Sequence, residues 1–152
     1  MTLSSISVQN YWVWSNPNST SNPLYTVNVL DTNNIWAFGE SGTAIRSTDF
    51  GKNWEIIYLP EFTGSIKDSY FFDEYKGFII GKNGVVLQTE NACKNWMNVE
   101  LNTYGNLLAI DFEKEKGVIL SAESKGNIYF DIYTGTDPVI VKHHFDSDTF
   151  MN

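Results

Sequence analysis

The residues near the carboxyl end are the ones whose types could hold a metal ion. Residues 143–148 read HHFDSD, and imidazole and carboxylate groups are ligands of zinc and of harder cations. Adjacent histidines on a strand point to opposite faces of the sheet, so His143 and His144 are poorly placed to share one ion. We therefore predict a polar tail, with no metal site and no cofactor.

Acid–base and nucleophilic chemistry find little support elsewhere. Glycoside hydrolysis needs two opposed carboxylates, but eighteen acidic residues make some pair inevitable, and those at 73–74 and 113–115 are typical of solvated turns. Both histidines lie in the tail, and no G-x-S-x-G nucleophile elbow is present. Gly39, Gly42 and Gly51 precede no predicted helix, so they form no phosphate loop. The sequence predicts a protein that is not an enzyme.

Charge and composition exclude several classes of partner. The 152 residues include 10 basic and 18 acidic side chains, which gives a net charge of -8. The one arginine is Arg46 and the lysines are dispersed, whereas nucleic-acid binding needs clustered positive charge. An anionic membrane surface would repel the chain, and no apolar run approaches the ~18 residues of a membrane span. The 42% hydrophobic and 15% aromatic composition predicts one domain with a real core.

The single cysteine and the amino terminus bear on the compartment. Cys93 stands alone, which excludes an intrachain disulfide and a C-x-x-C zinc site, and we predict a small, half-buried residue near a turn. The first residues, MTLSSI, lack the charged and apolar regions of a secretory signal peptide. We therefore expect a location in the cytoplasm or in a virion released by lysis.

A repeat of 42 residues organises the chain. Trp12, Trp54 and Trp96 follow one another at this spacing, and one further step reaches Pro138. Residues 33–54 and 75–96 align without a gap. The aligned pairs include Gly39 with Gly81, Gly42 with Gly84, and the KNW of 52–54 with the KNW of 94–96. A third, weaker copy spans roughly residues 108–130.

Each copy divides into four short strands rich in β-branched and aromatic residues. The predicted strands are 24–30, 35–39, 43–47 and 54–59; then 66–72, 77–81, 84–88 and 96–100; then 107–112, 117–122, 127–132 and 138–143. The GESG and GKNG segments between second and third strands predict tight hairpin turns, and no window has a helical period.

Four antiparallel strands in about 40–45 residues is the spacing of a propeller blade. We predict an all-β single domain over 1–152, an incomplete propeller of three four-stranded blades with an extra N-terminal outer strand. The blades span roughly 24–60, 66–101 and 107–143, and the extra strand spans roughly 6–14. An ordinary β-sandwich with coincidentally spaced tryptophans is the alternative.

Residues 47–54, STDFGKNW, resemble the Asp-box, whose pattern is S/T-x-D-x-G-x-T-W. Residues 89–96, TENACKNW, look like a decayed second copy. In this motif a carboxylate or amide oxygen accepts turn amides, the glycine adopts a left-handed backbone, and the tryptophan covers the hairpin. Because Cys93 lacks glycine's freedom, we predict that the second turn differs in shape or carries strain. The predicted structural residues are Ser47, Asp49, Gly51, Trp54, Thr89, Asn91 and Trp96.

The succession of strand, G-x-x-G turn, strand and Asp-box resembles the propellers of the photosystem II assembly-factor-like family, and also the BNR repeats of sialidases. The resemblance covers about two-thirds of the chain. It implies that the Asp-box is a folding device on the outer turn of a blade, away from any central site. Sialidases on this repeat use an arginine cluster, which Arg46 alone cannot supply, so sialidase activity is not expected.

Three blades are too few for a closed ring, since natural rings have about four to eight. The wedge would leave two faces open, and the strand around Trp12 would lack inner strands of its own. Exposed edges and apolar faces are normally covered. We therefore predict self-assembly or docking in a larger complex, and two chains would make a six-bladed ring.

Together these features favour a non-enzymatic structural and interaction module whose partners are other protein chains, as a homo-oligomer or in a large assembly. A virion component, in a bacteriophage tail or capsid, is the version we expect. A carbohydrate-binding lectin-like module that binds a glycan and an intracellular assembly chaperone are the alternatives, and a glycoside hydrolase is least favoured. The predicted ligand or assembly contacts are the aromatic residues Trp12, Trp14, Tyr58 and Tyr104.

Overall fold

Three four-stranded antiparallel sheets follow one another along the chain. The computed structural model describes residues 20–59, 64–101, 104–114, 116–122, 128–134 and 143–145. The first sheet contains β1 (Leu24–Val29), β2 (Ile35–Gly39), β3 (Ala44–Ser47) and β4 (Glu55–Ile57). The second contains β5 (Ile66–Phe71), β6 (Gly77–Gly81), β7 (Val86–Thr89) and β8 (Met97–Asn98). The third contains β9 (Asn106–Glu113), β10 (Lys116–Ala122), β11 (Ile128–Thr134) and β12 (His143–Phe145).

The predicted all-β class is confirmed, and within the described ranges there is no α-helix. Strand bounds agree with the prediction to within a few residues, except for the last strand, which begins at His143 where 138 was expected. Residues 135–142 lie outside the described residues. So do the predicted N-terminal strand 6–14 and its Trp12 and Trp14.

Two hairpin turns have the left-handed backbone that their sequences predict. Ser41 and Gly42 have φ of 54° and 66°, and Asn83 and Gly84 have φ of 61° and 72°. Two successive residues with positive φ form the type I′ turn, whose twist matches that of the flanking strands. The Thr43 N–H donates to the Glu40 carbonyl oxygen over 3.0 Å and closes the first turn.

The core lies between consecutive sheets, which stack face to face. The first sheet contributes Trp36, Phe38 and Ala44, and these pack against Ile79 and Leu87 of the second. Successive side chains of a strand alternate between faces, so the neighbours of Ile79 point the other way. They form a second core with the third sheet, which consists of Phe78, Ile80, Val86, Leu101, Leu107, Ile110 and Ile119. The middle sheet is therefore buried on both faces.

Polar contacts link the first strands of the three sheets. The hydroxyl oxygens of Thr26 in β1 and Ser69 in β5 lie 2.8 Å apart. The backbone N–H of Ile110 in β9 donates to Asp68 Oδ2 over 3.0 Å. The Tyr70 hydroxyl donates to the Phe112 carbonyl oxygen over 3.3 Å. These bonds hold the three strands side by side at one border of the stack.

Candidate functional site

A cluster of polar side chains joins the first two sheets at the end that carries the 40–42 and 82–84 turns. Glu40 is its centre: Oε2 accepts a hydrogen bond from the Tyr25 hydroxyl, and Oε1 accepts one from Ser65 Oγ, both over 2.5 Å. Lys82 Nζ lies 3.7 Å from Glu40 Oε1, and Lys67 Nζ lies 4.0 Å from the centre of the Tyr25 ring, within cation–π range. We call these five residues the turn cluster.

Strand register explains why these residues meet. Leu24 at the start of β1 pairs with Gly39, and Ile66 at the start of β5 pairs with Gly81. The beginning of each first strand therefore lies beside the turn that follows the second strand. Stacking the two sheets then brings Glu40 next to Ser65 and Lys82.

The electrostatics of the cluster favour a structural role for Glu40. Hydrogen bonds from Ser65 and Tyr25, helped by Lys82, lower the pKa of Glu40 to about 2. The same contact raises the pKa of Tyr25. A general acid or base works best with a pKa near the working pH, whereas this carboxylate stays ionised and its oxygens accept hydrogen bonds. Glu40 thus connects two sheets and holds no proton to transfer near neutral pH.

A groove of about 320 Å³ lies beside the turn cluster. Its walls are the 83–85 turn segment, residues 98–101 and Tyr104, whose side chain is 93% exposed. The Asn83 N–H donates to Asn106 Oδ1 over 3.3 Å, which ties the groove to the third sheet. Polar walls with one exposed aromatic ring can offer hydrogen bonds to an extended polypeptide and an apolar face to one of its side chains.

The two predicted contact tyrosines within the described residues both lie toward this end. Tyr104 borders the groove, and Tyr58, 89% exposed, follows β4. The last residue of β4, Ile57, pairs with Ala44 next to the 40–42 turn. The structure thus places Tyr58 and Tyr104 on one end of the stack, above different sheets, and their role as contacts stays a prediction.

The Asp-box residues lie at the opposite end of the sheets, in the turn between β3 and β4. Ser47 Oγ accepts a hydrogen bond from Gly51 N over 2.7 Å and donates to Asp49 Oδ1 over 2.9 Å. Asp49 accepts from the backbone N–H and the side-chain amide of Asn53, over 2.8 and 2.6 Å. Trp54 Nε1 donates to the Gly51 carbonyl oxygen over 3.1 Å. The side-chain oxygens of Ser47 and Asp49 thus accept hydrogen bonds from groups within the turn itself.

The second copy repeats this turn with different residues. Cys93 N donates to Thr89 Oγ1 over 3.1 Å, and Asn95 N donates to Asn91 Oδ1 over 2.9 Å. The indole N–H of Trp96 is buried and has no hydrogen-bond partner, unlike its counterpart in the first copy.

Cys93 takes the backbone conformation that glycine takes in the first turn. Its φ is 60°, and that of Ala92 is 58°, against 57° and 83° for Phe50 and Gly51. The turn keeps its shape, so the substitution places a side chain in the left-handed region, where non-glycine residues are strained. Cys93 is also buried, with 6% of its surface exposed, where the sequence predicted half-burial. Burial raises the pKa of its thiol to about 12, which makes it unreactive.

Acid should remove the stabilisation that two hydrogen-bonded carboxylates, those of Asp49 and Glu40, give to the fold. Hydrogen bonds from Asn53 are the main reason why the pKa of Asp49 is lowered from 3.8 to about 2. The pKa of Glu40 is lowered from 4.5 to about 2. A carboxylate with a lowered folded pKa stabilises the fold above its unfolded pKa, and the stabilisation is lost as the pH falls toward the folded value. We expect a thermal midpoint that is steady from pH 7 to about pH 5 and falls between pH 4.5 and 2.

The matched variants are Asp49→Asn and Glu40→Gln, because neither amide titrates. We expect each variant to have a flatter profile between pH 4.5 and 2 than the parent, measured by circular dichroism. An unchanged slope in both would contradict the assignment.

Metal ligation finds no support in the parts of the chain that the structure describes, since they hold no group of three His, Cys, Asp or Glu side chains close enough for an ion. His143 and His144 lie in β12, opposite Phe130 and Tyr129. Residues 146–148 lie outside the described residues, so the predicted polar tail stays a prediction.

Comparison with known proteins gives the family. The family model described as photosynthesis system II assembly factor YCF48, of the PSII_BNR type, matches residues 3–90. The photosystem II stability/assembly factor HCF136, chloroplastic, of Guillardia theta is 33% identical over 60 residues, which are 39% of this chain and 15% of that protein. The photosystem II assembly lipoprotein Ycf48 of Picosynechococcus sp. is 36% identical over 59 residues, 38% of this chain and 17% of that protein. The chain spans about one-sixth of the length of these curated relatives.

Two solved structures share the fold. A structure titled YCF48 bound to D1 peptide aligns with a TM-score of 0.63 at 18% identity, over 82% of this chain and 41% of that one. YCF48 from Cyanidioschyzon merolae aligns with a TM-score of 0.62 at 22% identity, over 84% of this chain and 38% of that one. The three sheets are thus blades of an incomplete β-propeller, as predicted.

These relatives correct the functional prediction. The expectation of a virion component was wrong, because the family model and the relatives are photosystem II assembly factors. That expectation depended on the predicted open wedge and on the interpretation of the first residues, and neither feature identifies a compartment. The relatives' names describe assembly factors, one chloroplastic and one a lipoprotein, and no enzyme.

Across the described residues, no helix has the length and apolar character needed to cross a bilayer.

The match of the family model extends over more than half of the 152 residues, and the repeated blades and their turns fit it. The chain belongs to the photosystem II assembly factor YCF48 family of BNR-repeat propellers.

Proposed function

We propose that this chain is a non-enzymatic, protein-binding propeller module that assists the assembly of a protein complex. This is the intracellular assembly chaperone that the sequence offered as an alternative. The observation that carries the proposal is the family match over residues 3–90. A relative of the same fold is bound to a D1 peptide, so a peptide segment of a client protein is the ligand class that we infer.

The groove beside Tyr104 is the proposed contact with the client. Tyrosine is enriched among residues that dominate protein interfaces, because a rigid ring buries a large area at little cost in conformational entropy. Asn83 and Asn98 in the groove walls supply side-chain donors and acceptors for a peptide backbone. The turn cluster fixes Lys82, the neighbour of Asn83, through Glu40.

Catalysis is not part of the proposal. Glu40 remains ionised and hydrogen-bonded, and Cys93 remains buried with a raised pKa. The partners are other protein chains. Self-assembly, which the sequence predicts, stays a prediction at this point.

The proposal is tested with fluorescently labelled, overlapping peptides that tile the D1 protein, measured by fluorescence anisotropy. We expect at least one peptide to bind, and Tyr104→Ala to weaken binding about tenfold, which corresponds to about 1.4 kcal/mol. Tyr75→Ala is the matched control, because Tyr75 is an exposed tyrosine at the opposite end of the middle sheet. We expect it to bind like the parent.

Two results would count against this function. The first is no binding by any D1 peptide at protein concentrations up to about 1 mM, beyond the range of most specific complexes. The second is binding on a glycan array that Tyr58→Ala abolishes, which would favour the carbohydrate-binding alternative.

A further inference from the structure

Each of the three sheets has one extra residue in its first strand, at the corresponding position. The pairing of β1 with β2 passes over Tyr25, that of β5 with β6 passes over Lys67, and that of β9 with β10 passes over Leu108. Lys67 follows Tyr25 by 42 residues, and Leu108 follows Lys67 by 41. Such β-bulges re-aim a side chain and are common beside functional sites. The three bulges bring three unlike side chains to the border where the first strands lie side by side.

The bulges of the first two sheets contact each other. Lys67 Nζ lies 4.0 Å from the centre of the Tyr25 ring, within the range of a cation–π interaction. The Tyr25 hydroxyl donates a hydrogen bond to Glu40 Oε2, which fixes the ring. Tyr25 is 44% exposed and Lys67 is partly exposed, so the ammonium group is held in place at the surface.

The third bulge lies in the sheet on the other side of Lys67. β9 runs beside β5, where the Ile110 N–H donates to Asp68 Oδ2 over 3.0 Å. Leu108, two residues before Ile110, is 43% exposed. Lys67 thus has an aromatic side chain in the bulge of one neighbouring sheet and an exposed aliphatic side chain in the bulge of the other.

The turn cluster has one positive charge more than its carboxylate neutralises. Glu40 contributes one negative charge, and Lys82 and Lys67 contribute one positive charge each, which leaves a net charge of +1. Lys82 Nζ lies 3.7 Å from Glu40 Oε1, whereas Lys67 makes no ion pair with any residue that the structure describes. Because the whole chain has a net charge of -8, this cluster is a local exception.

Asp68, the next residue along the chain, does not supply the missing partner. Its Oδ1 accepts the Ser69 N–H over 2.8 Å, and its Oδ2 accepts the Ile110 N–H over 3.0 Å. Both oxygens thus bind backbone amides, which leaves the ammonium donors of Lys67 available to a ligand.

We propose that Lys67 binds a carboxylate of the client polypeptide, from an aspartate or glutamate side chain. Hydrogen bonds between an ammonium group and a carboxylate are among the stronger polar contacts. Because Tyr25 already restrains the lysine side chain, less conformational entropy is lost when the pair forms. Tyr25 and Leu108 contact apolar parts of the client next to the carboxylate. This inference rests on the proposed function and names the client segment as an acidic one.

A single carboxylate fits this site better than a polyanion does. An anionic membrane or a nucleic acid presents many negative charges at once, and the net charge of -8 repels both. One side-chain carboxylate needs only the one ammonium group that the described residues leave without an ion pair.

The lysine site continues into the groove beside Tyr104. The Lys82 N–H donates to the Ser65 carbonyl oxygen over 3.0 Å, and Ser65 precedes Lys67 by two residues. Asn83, next to Lys82, belongs to the groove wall. One extended client segment can therefore place one side chain against Tyr104 and an acidic side chain at Lys67.

The test uses the D1 peptides that bind the parent protein, each remade with one aspartate or glutamate at a time replaced by the matching amide. We expect one such replacement to weaken binding about fivefold in fluorescence anisotropy, in the range for a partly exposed ion pair. Lys67→Met removes the charge and retains an unbranched stem over Tyr25, and we expect a similar loss. Together the two changes should weaken binding no more than either alone, because they remove the same ion pair.

Lys76→Met is the matched control, because Lys76 is an exposed lysine in the turn at the other end of β5 and its loss changes the net charge equally. We expect it to bind like the parent. Lys67→Arg keeps the positive charge and should bind within about twofold of the parent. Circular dichroism checks that each variant is folded, and the amide peptides test the carboxylate on the parent protein itself.

The outcomes separate this inference from the proposed function. Peptides that bind but that no amide replacement weakens would overturn the inference alone. So would a Lys67→Met variant that binds like the parent, losses that add in the combined experiment, or an equal loss in Lys76→Met. If no D1 peptide binds the parent protein, the proposed function fails and this inference fails with it.

Discussion

Truncation of Phe38 to alanine is expected to lower the free energy of unfolding by about 4 kcal/mol, in the range for a buried phenylalanine. Phe38 has no exposed surface and stands between the first two sheets. Its ring centre lies 5.9 Å from that of Trp36, 6.3 Å from that of Phe71 and 6.1 Å from that of Trp96. Removing it opens a cavity and ends three aromatic contacts, each with its own contribution.

Urea denaturation followed by tryptophan fluorescence and circular dichroism measures this loss. Tyr58→Ala is the matched control, because Tyr58 is 89% exposed and surface substitutions usually change stability by less than about 0.5 kcal/mol. A loss below about 1.5 kcal/mol for Phe38→Ala would show that the contact between the two sheets does not depend on this ring.

Gly39→Ala is expected to cost about 3 kcal/mol, the upper end for overpacking. The backbone of Gly39 is extended, with φ of -167°, so the obstacle is space and not conformation. A Cβ there would lie 2.0 Å from the Pro23 carbonyl oxygen and 2.8 Å from Leu24 Cα. The carbonyl cannot easily move away, since it accepts a hydrogen bond from Glu40 N over 2.9 Å.

Gly77→Ala provides the comparison for this prediction. Its Cβ would meet the ring of Phe71, 2.2 Å from Cδ1, and a side chain can shift where a backbone carbonyl cannot. We expect a loss of about 2 kcal/mol in the same urea experiment. If Gly39→Ala lost less than Gly77→Ala, the contact with Pro23 would not be the limiting one.

The 42-residue spacing of tryptophans predicts the sheets because each repeat folds as one unit with its own strands and turns. Contacts between repeats were harder to predict. Glu40 and Lys82 stand 42 residues apart, and so do Tyr25 and Lys67. An alignment of the repeats detects positions that hold similar residues, whereas the two residues of each of these pairs interact because their chemistry is complementary. Unlike residues at equal repeat positions are therefore the pattern that could have revealed the turn cluster.

The third repeat looked weak for a geometric reason. Gly117 comes five positions after Phe112, and Gly77 comes six positions after Phe71, although each pair makes the same contact. The shorter β9–β10 hairpin turns through Lys114 with φ of 58°, which shifts every later position against the 42-residue step. An alignment without gaps therefore fails to detect such a copy, although the copy still folds as a four-stranded sheet. The groove beside Tyr104 depends on this junction, so its walls could not be derived from the repeat.

The two Asp-box turns have one more consequence, for how such a chain can change over time. The second turn has lost both the aspartate and the glycine, yet Thr89 and Asn91 still accept the same amide hydrogens, and Cys93 is held in the conformation that glycine favours. The acceptor oxygens specify the turn, and the glycine only lowers its cost. Substitution of the glycine is therefore tolerated without loss of the fold. Neighbouring blades can then diverge in sequence until the side-chain oxygens that accept the turn amides are the main trace of their common origin.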